Sequence, residues 1–153
     1  MSKIAYLPNT ADNAGQAGYG DEFDIPAGRY QASLVDVRTQ LYFKKSAKVI
    51  LTFRMQDYGS HFGAIVRGFY AVKRLNGKPR KNGTFEAGPK SRLLRDMARM
   101  MDGRPPTNCV PTRLLDAAIY EIELRRVTEV KKTALPESIQ YAVVDHVVRK
   151  VQG

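Results

Sequence analysis

Cysteine and histidine are nearly missing from this chain. Its one cysteine, Cys109, has no partner for an internal disulfide. With only His61 and His146 beside it, a zinc site of the ordinary Cys/His kind cannot be assembled. No apolar run approaches the roughly 18 residues of a membrane span, and the opening MSKIAYLPNTADNAG lacks the apolar core of a signal peptide. These absences set the expectation of a soluble, cytoplasmic protein with no bound metal and no membrane partner.

Catalytic signatures are as scarce. Gly77-Lys78 is followed by proline and lacks the upstream glycine of a phosphate-cradling loop, and no dinucleotide fingerprint occurs. Asp21, Glu22 and Asp24 lie in a polar terminal stretch, and Glu121 and Glu123 share one strand face. Nothing in the spacing of Asp36, Asp57 and Asp96 makes them converge as a two-metal nuclease requires. His61 reads as a turn residue, His146 as a structural histidine within a strand, and Cys109 as a small packing residue. The expectation is a protein that is not an enzyme and uses no cofactor.

What the chain has in excess is positive charge. Its 153 residues carry 25 Lys and Arg against 15 Asp and Glu, a formal charge of +10. Such an imbalance points to a polyanionic partner, nucleic acid before a membrane surface. The length fits one domain with its own core, and an apolar fraction of 43% is that of an ordinary globular protein. The charge is concentrated between Val35 and Lys81, where eleven cations face two carboxylates, Asp36 and Asp57. Seven aromatic rings are threaded through the same stretch: Tyr42, Phe43, Phe53, Tyr58, Phe62, Phe69 and Tyr70. Cations neutralise phosphates and rings stack on bases, so basic strands with interleaved aromatics suit a single nucleic-acid strand.

Residues 1–24 are small, polar and without periodicity, and read as a flexible N-terminal arm; residues 25–153 form the domain. Arg29–Gln40 is a first strand, with a change of face near Val35 that marks a bulge or burial on both sides. Leu41–Ala47 is a loop tip. In Lys48–Asp57, Val49, Leu51, Phe53 and Met55 alternate with Lys48, Ile50, Thr52 and Arg54, giving a core face and a cationic open face. Ile65–Lys73 is a third strand whose register is ambiguous, so Phe69 and Tyr70 compete for the open side; Gly68 marks a bend or a ligand's close approach. Residues 74–89 form a long loop with KPRK as a flexible basic finger. Lys90–Asp102 is a helix with a Leu/Met stripe, Pro89 or Ser91 at its start and Gly103 at its end. Arg92, Arg95 and Arg99 share another of its faces. Pro111–Leu115 is a short helical turn capped by Thr112. Ala117–Val127 and Ile139–Val151 are the last strands, separated by a loop over 128–138.

Three strands, a helix and two strands is the element order of the OB-fold, a five-stranded Greek-key barrel with a helix between strands three and four. The expected fold is therefore mainly β and OB-fold-like. Its ligand surface is built from strands two and three, the loop between strands one and two, and the loop between strands four and five. That placement gives the candidate nucleic-acid-binding residues Tyr42, Phe43, Lys44, Lys45, Lys48, Arg54, Arg67, Phe69, Tyr70, Lys73, Lys131 and Lys132, and the basic loop after strand three adds Arg74, Lys78, Arg80 and Lys81.

The opening PAGRYQASLVDV, the strand KVILTFRM, the segment YGSHFGAIVRGFY and a Leu/Met helix after a basic loop together resemble the single-stranded-DNA-binding proteins of phages and integrative elements. The resemblance spans roughly residues 25–150. It implies an OB-fold that coats exposed strands during replication, recombination or DNA transfer; self-association into a homo-oligomer is a separate expectation. Bacterial housekeeping members end in an acidic tail that docks partner proteins, whereas this chain ends VVRKVQG. Two other readings fit the residues: a small basic inhibitor or adaptor that binds an acidic protein, its rings serving as interface anchors, and an RNA-binding OB domain.

Overall fold

The fold is described from a computed structural model over residues 24–43, 45–101, 103, 105–106, 110–112, 115–130, 133–136 and 140–152. All but the last residue of the expected arm, and Cys109, lie outside the described residues. In chain order the elements are β1 (Gly28–Tyr42), β2 (Ser46–Met55), β3 (Ile65–Ala71), β4 (Arg74–Asn76), β5 (Thr84–Glu86), α1 (Arg92–Met101), β6 (Val110–Pro111), β7 (Ile119–Val127), β8 (Glu129–Val130), β9 (Thr133–Ala134) and β10 (Tyr141–Gln152). The five long strands form one antiparallel sheet in the order β10-β7-β1-β2-β3. Among the described residues no helix is long and apolar enough to cross a membrane.

Alternation builds the sheet's two faces. Val49, Leu51, Phe53 and Met55 of β2 are buried, as are Tyr120, Ile122 and Leu124 of β7, while their neighbours point outward. In β1 the pairing with β2 slips between Leu34 and Asp36, and Val35 is left exposed. This bulge returns Val37 to the core after Ala32 and Leu34, so a strand that reads as apolar at both phases still has a single inner face. Against that face α1 sets Leu93, Leu94, Met97 and Met100. The Ser91 hydroxyl caps the helix by accepting the Leu94 amide at 3.2 Å, and the Gly103 amide closes its end on the Ala98 carbonyl.

Three expectations are corrected. The stretch after β3 is not a structureless loop: β4 and β5 pair through Arg74↔Glu86, Leu75↔Phe85 and Asn76↔Thr84, and β6 extends them into a small second sheet around the fully buried Phe85. The helix therefore does not sit directly between strands three and four; β4 and β5 precede it and β6 follows. The turn expected at Thr112 is not capped by its side chain, whose hydroxyl is buried without a partner among the described residues; the Leu115 amide bonds the Thr112 carbonyl instead.

The large sheet is also not a closed barrel, because no ladder joins its edges β3 and β10. The edges nonetheless come close. A Cβ placed on Gly68 of β3 would lie 3.1 Å from the Val144 Cβ of β10 and 2.9 Å from the Tyr70 ring, so the close approach that requires glycine there comes from the protein itself. Helix α1 covers the seam with three residues at i, i+4 and i+7. Arg92 donates to the Phe69 carbonyl of β3 and the Asp145 carbonyl of β10. The Asp96 carboxylate accepts the Tyr70 hydroxyl at 2.7 Å and the Val147 amide at 3.1 Å. Arg99 donates to Asp96 and to the Val147 carbonyl, both at 3.2 Å. Edge groups that a closed barrel would satisfy by strand pairing are satisfied here by helix side chains.

Candidate nucleic-acid interface

The pairing of β2 with its neighbours fixes the outward rows of the sheet. Across β1, β2 and β3 they read Gln40–Lys48–Ala71, Arg38–Ile50–Phe69, Asp36–Thr52–Arg67 and Ser33–Arg54, the last meeting the buried Ile65 on β3. The opposition of Ile50 and Phe69 resolves the third strand's register: Phe69 points outward, 36% exposed, and Tyr70 inward at 1%. Tyr70 is accordingly withdrawn as a base-stacking candidate. Its hydroxyl is spent on Asp96, and the Arg92 guanidinium lies 4.2 Å from its ring centroid. Burial, then the Asp96 charge, pushes the Tyr70 hydroxyl well above its ordinary range.

The outward face carries Arg38, Lys48, Arg54 and Arg67 against the single carboxylate Asp36, which pairs with Arg38 at 3.6 Å and Lys81 at 3.8 Å. Lys48 and Arg54 have no side-chain partner among the described residues. The outer face of β7 and β10 is the opposite case. There Arg29–Glu123, Arg149–Glu121, Lys150–Asp116 and Arg125–Asp145 close at 2.8–3.2 Å, and the charges cancel locally.

Rings stand at both ends of the cationic face. Phe43, in the turn from β1 to β2, adopts a left-handed backbone (φ 54°) and is 88% exposed. A bulky residue in that region is strained, and such strain concentrates at binding sites. Its neighbour Tyr42 is half-buried, with its hydroxyl pushed up by burial. At the other end, Tyr58 is 98% exposed and stacks on Phe62 with centroids 6.0 Å apart and planes 10° from parallel. The turn that presents them is ordered: Met55 and Ala64 close it at 2.8 Å, the Gly63 amide returns to the Met55 carbonyl, and Gly59 and Gly63 take positive φ. The strand between the two turns, ten residues at about 3.3 Å each, is about 33 Å long.

The basic loop is not a flexible finger. Thr39 clamps it: its amide donates to the Arg80 carbonyl at 2.9 Å, and its hydroxyl accepts the Arg80 amide at 2.9 Å. Lys81 bridges to Arg38, and the Asn82 amide reaches the Val37 carbonyl. This arrangement lays Arg80 and Lys81 along the part of β1 beyond Ser33 that β7 does not pair, and Lys78, Arg80 and Lys81 are all exposed. Lys45 is exposed at the β1–β2 turn. Lys73 and Arg74 stand at the entry to the small sheet and share Glu86, at 3.5 and 3.0 Å, which halves their charge. Lys44, Lys131 and Lys132 lie outside the described residues.

The carboxylates that might have formed a catalytic set have separate partners: Asp36 as above, Asp57 the Gln31 amide at 3.0 Å, and Asp96 the seam. Glu123, Asp145 and His146 bring one ligand atom each within 4.8 Å of one another. Their carboxylates are already engaged by Arg29 and Arg125, and the His146 hydrogen bond holds Asp145 below the ordinary carboxylate range. The ring pair Tyr58/Phe62 and the buried Asp96 are named in the sequence reading but are not among its candidate binding residues. Two rings in one glycine-bounded turn, and a carboxylate on an apolar helix stripe, were the available signals. In comparisons with known proteins, no family model, no curated protein and no solved structure matches the chain.

Proposed function

We propose that this chain is a non-catalytic, sequence-tolerant single-stranded DNA-binding protein of the OB-fold kind, acting in replication, recombination or transfer of phage or mobile-element DNA. One observation carries the reading. The outward face of β1, β2 and β3 sets the Ile50/Phe69 pair among four cations and one carboxylate, with exposed rings at both ends. Phosphates would meet Lys48, Arg54, Arg67 and Arg38, and bases would stack on Phe43, Phe69 and Tyr58. The order β7-β1-β2-β3 is that of a Greek key, and a fifth strand beside β7 with an open seam supports a partly open OB barrel. The stacked Tyr58/Phe62 pair also favours a second reading, an anchor for a protein partner.

The test is fluorescence anisotropy of a labelled oligo-dT at two salt concentrations, with duplex DNA and RNA as competitors. Salt-sensitive binding that duplex fails to compete is the expected result. Absence of binding at low salt would overturn the reading in favour of a protein partner, and preferential competition by RNA would reassign the ligand.

A further inference from the structure

Where α1 covers the seam, it forms with β10 a groove of about 270 Å³, lined by Arg92, Arg95, Asp96 and Arg99 of the helix and Asp145 and His146 of the strand. Its charges are unequally committed. The Asp96 oxygens take the Tyr70 hydroxyl, the Val147 amide and Arg99. The Asp145 oxygens take Arg125 at 3.2 Å and His146 Nδ1 at 3.0 Å. Arg92 is bound to two strand carbonyls, and Arg99 to Asp96 and a third carbonyl. Arg95 is exposed, and its side chain makes no hydrogen bond or ion pair among the described residues. A groove with three guanidinium groups, whose two carboxylates are already engaged, favours an added anion. The uncommitted guanidinium offers a planar fork of donors that matches phosphate oxygens.

The groove also adjoins the proposed interface. The carbonyl that Arg92 holds on β3 belongs to Phe69, whose ring faces outward in the Arg38–Ile50–Phe69 row. We infer that the seam groove is a phosphate-binding subsite, in which Arg95 takes a backbone phosphate of a strand that passes over Phe69 and crosses the seam. The source of the phosphate rests on the single-strand reading; the groove's own chemistry accepts any phosphate ester.

Two arms test this. Arg95→Ala leaves the fold's hydrogen bonds in place. In the first arm, wild type and Arg95→Ala are titrated with oligo-dT of about 4 to 16 nucleotides, the range of single OB-domain sites, over a series of salt concentrations. The variant is expected to match wild type on the shortest oligomers and to fall behind on longer ones. Its slope of log affinity against log salt should be shallower by about 0.7, one lost phosphate contact on a single strand, and Arg95→Lys should keep the wild-type slope. In the second arm, inorganic pyrophosphate is expected to raise the melting temperature of wild type and not of Arg95→Ala. A variant with the wild-type slope at every length, or pyrophosphate stabilising both proteins alike, would overturn the inference. If no oligomer binds wild type while pyrophosphate still stabilises wild type alone, the groove stands as a site for a small phosphate ester and the DNA reading falls.

Discussion

Replacing Asp96 by alanine should destabilise the fold by opening the seam that α1 closes. The carboxylate is 1% exposed and is the only described acceptor for the Tyr70 hydroxyl and a side-chain anchor for the edge amide of Val147. Each buried donor left unpaired costs about 1–3 kcal/mol, and breaking a buried charged network costs about 3–5 kcal/mol. Working against this, burial raises the Asp96 carboxyl above its ordinary value despite the hydrogen bonds that lower it, so the ionised group itself carries a desolvation cost that alanine removes. The net expectation is therefore a loss of about 3 kcal/mol. At about 2–4 °C per kcal/mol for a domain of this size, the melting temperature should fall by roughly 6–12 °C. Urea unfolding followed by circular dichroism gives the free energy, and a cycle with Tyr70→Phe isolates the pair, for which a coupling of about 0.5–3 kcal/mol is expected. A loss under about 0.5 kcal/mol, or a fully additive cycle, would refute the claim that α1 closes the seam through Asp96.

Other consequences are independent of that one. Phe43→Ala should weaken oligo-dT binding by about 1–3 kcal/mol, the value of one stacked base, with no change in melting temperature; unchanged affinity would remove Phe43 from the interface. Gly83→Ala would bring a methyl group to 2.5 Å from the Thr39 hydroxyl oxygen, so stability should drop by about 1–3 kcal/mol, and a wild-type melting temperature would show that the basic loop is not clamped to β1. Burial pushes the Tyr70 hydroxyl well above the ordinary tyrosine value near 10 and the Tyr120 hydroxyl up to about 12. The folded state holds both protons more tightly than the unfolded one. Their contribution is thus complete below pH 10 and declines as pH rises from there through the folded-state values; unfolding free energies that stay level up to pH 12 would contradict it.

Much of the sheet was legible because period-2 alternation survives wherever one face is buried. Val49-Ile50-Leu51-Thr52-Phe53-Arg54-Met55 separates core from surface without ambiguity, and the doubled phase of β1 marked the bulge that the structure has at Val35. The β4–β5 hairpin was hidden because its strands are three residues long, too short for a period to show. Phe69 and Tyr70 could not be told apart from within β3, since a one-residue slip exchanges its faces; the partner strand decides, through Ile50. The open seam was the least legible feature. It depends on how far a sheet coils before β3 meets β10, residues more than 70 positions apart, and no local pattern records that. Its trace in sequence is Asp96, a charge placed among Leu93, Met97 and Met100 on the buried stripe of α1.

The central claim is that the outward β2–β3 face holds a nucleic-acid backbone, and the salt dependence of Lys48→Ala/Arg54→Ala tests it most directly. Both side chains point outward and neither has an ion-pair partner among the described residues, so the double variant should fold and melt as wild type does. On a single strand each lost phosphate contact lowers the slope of log affinity against log salt by about 0.7. The account predicts weaker binding to every oligomer sequence alike and a slope reduced by about 1.4. Wild-type affinity and wild-type slope in the double variant would contradict it.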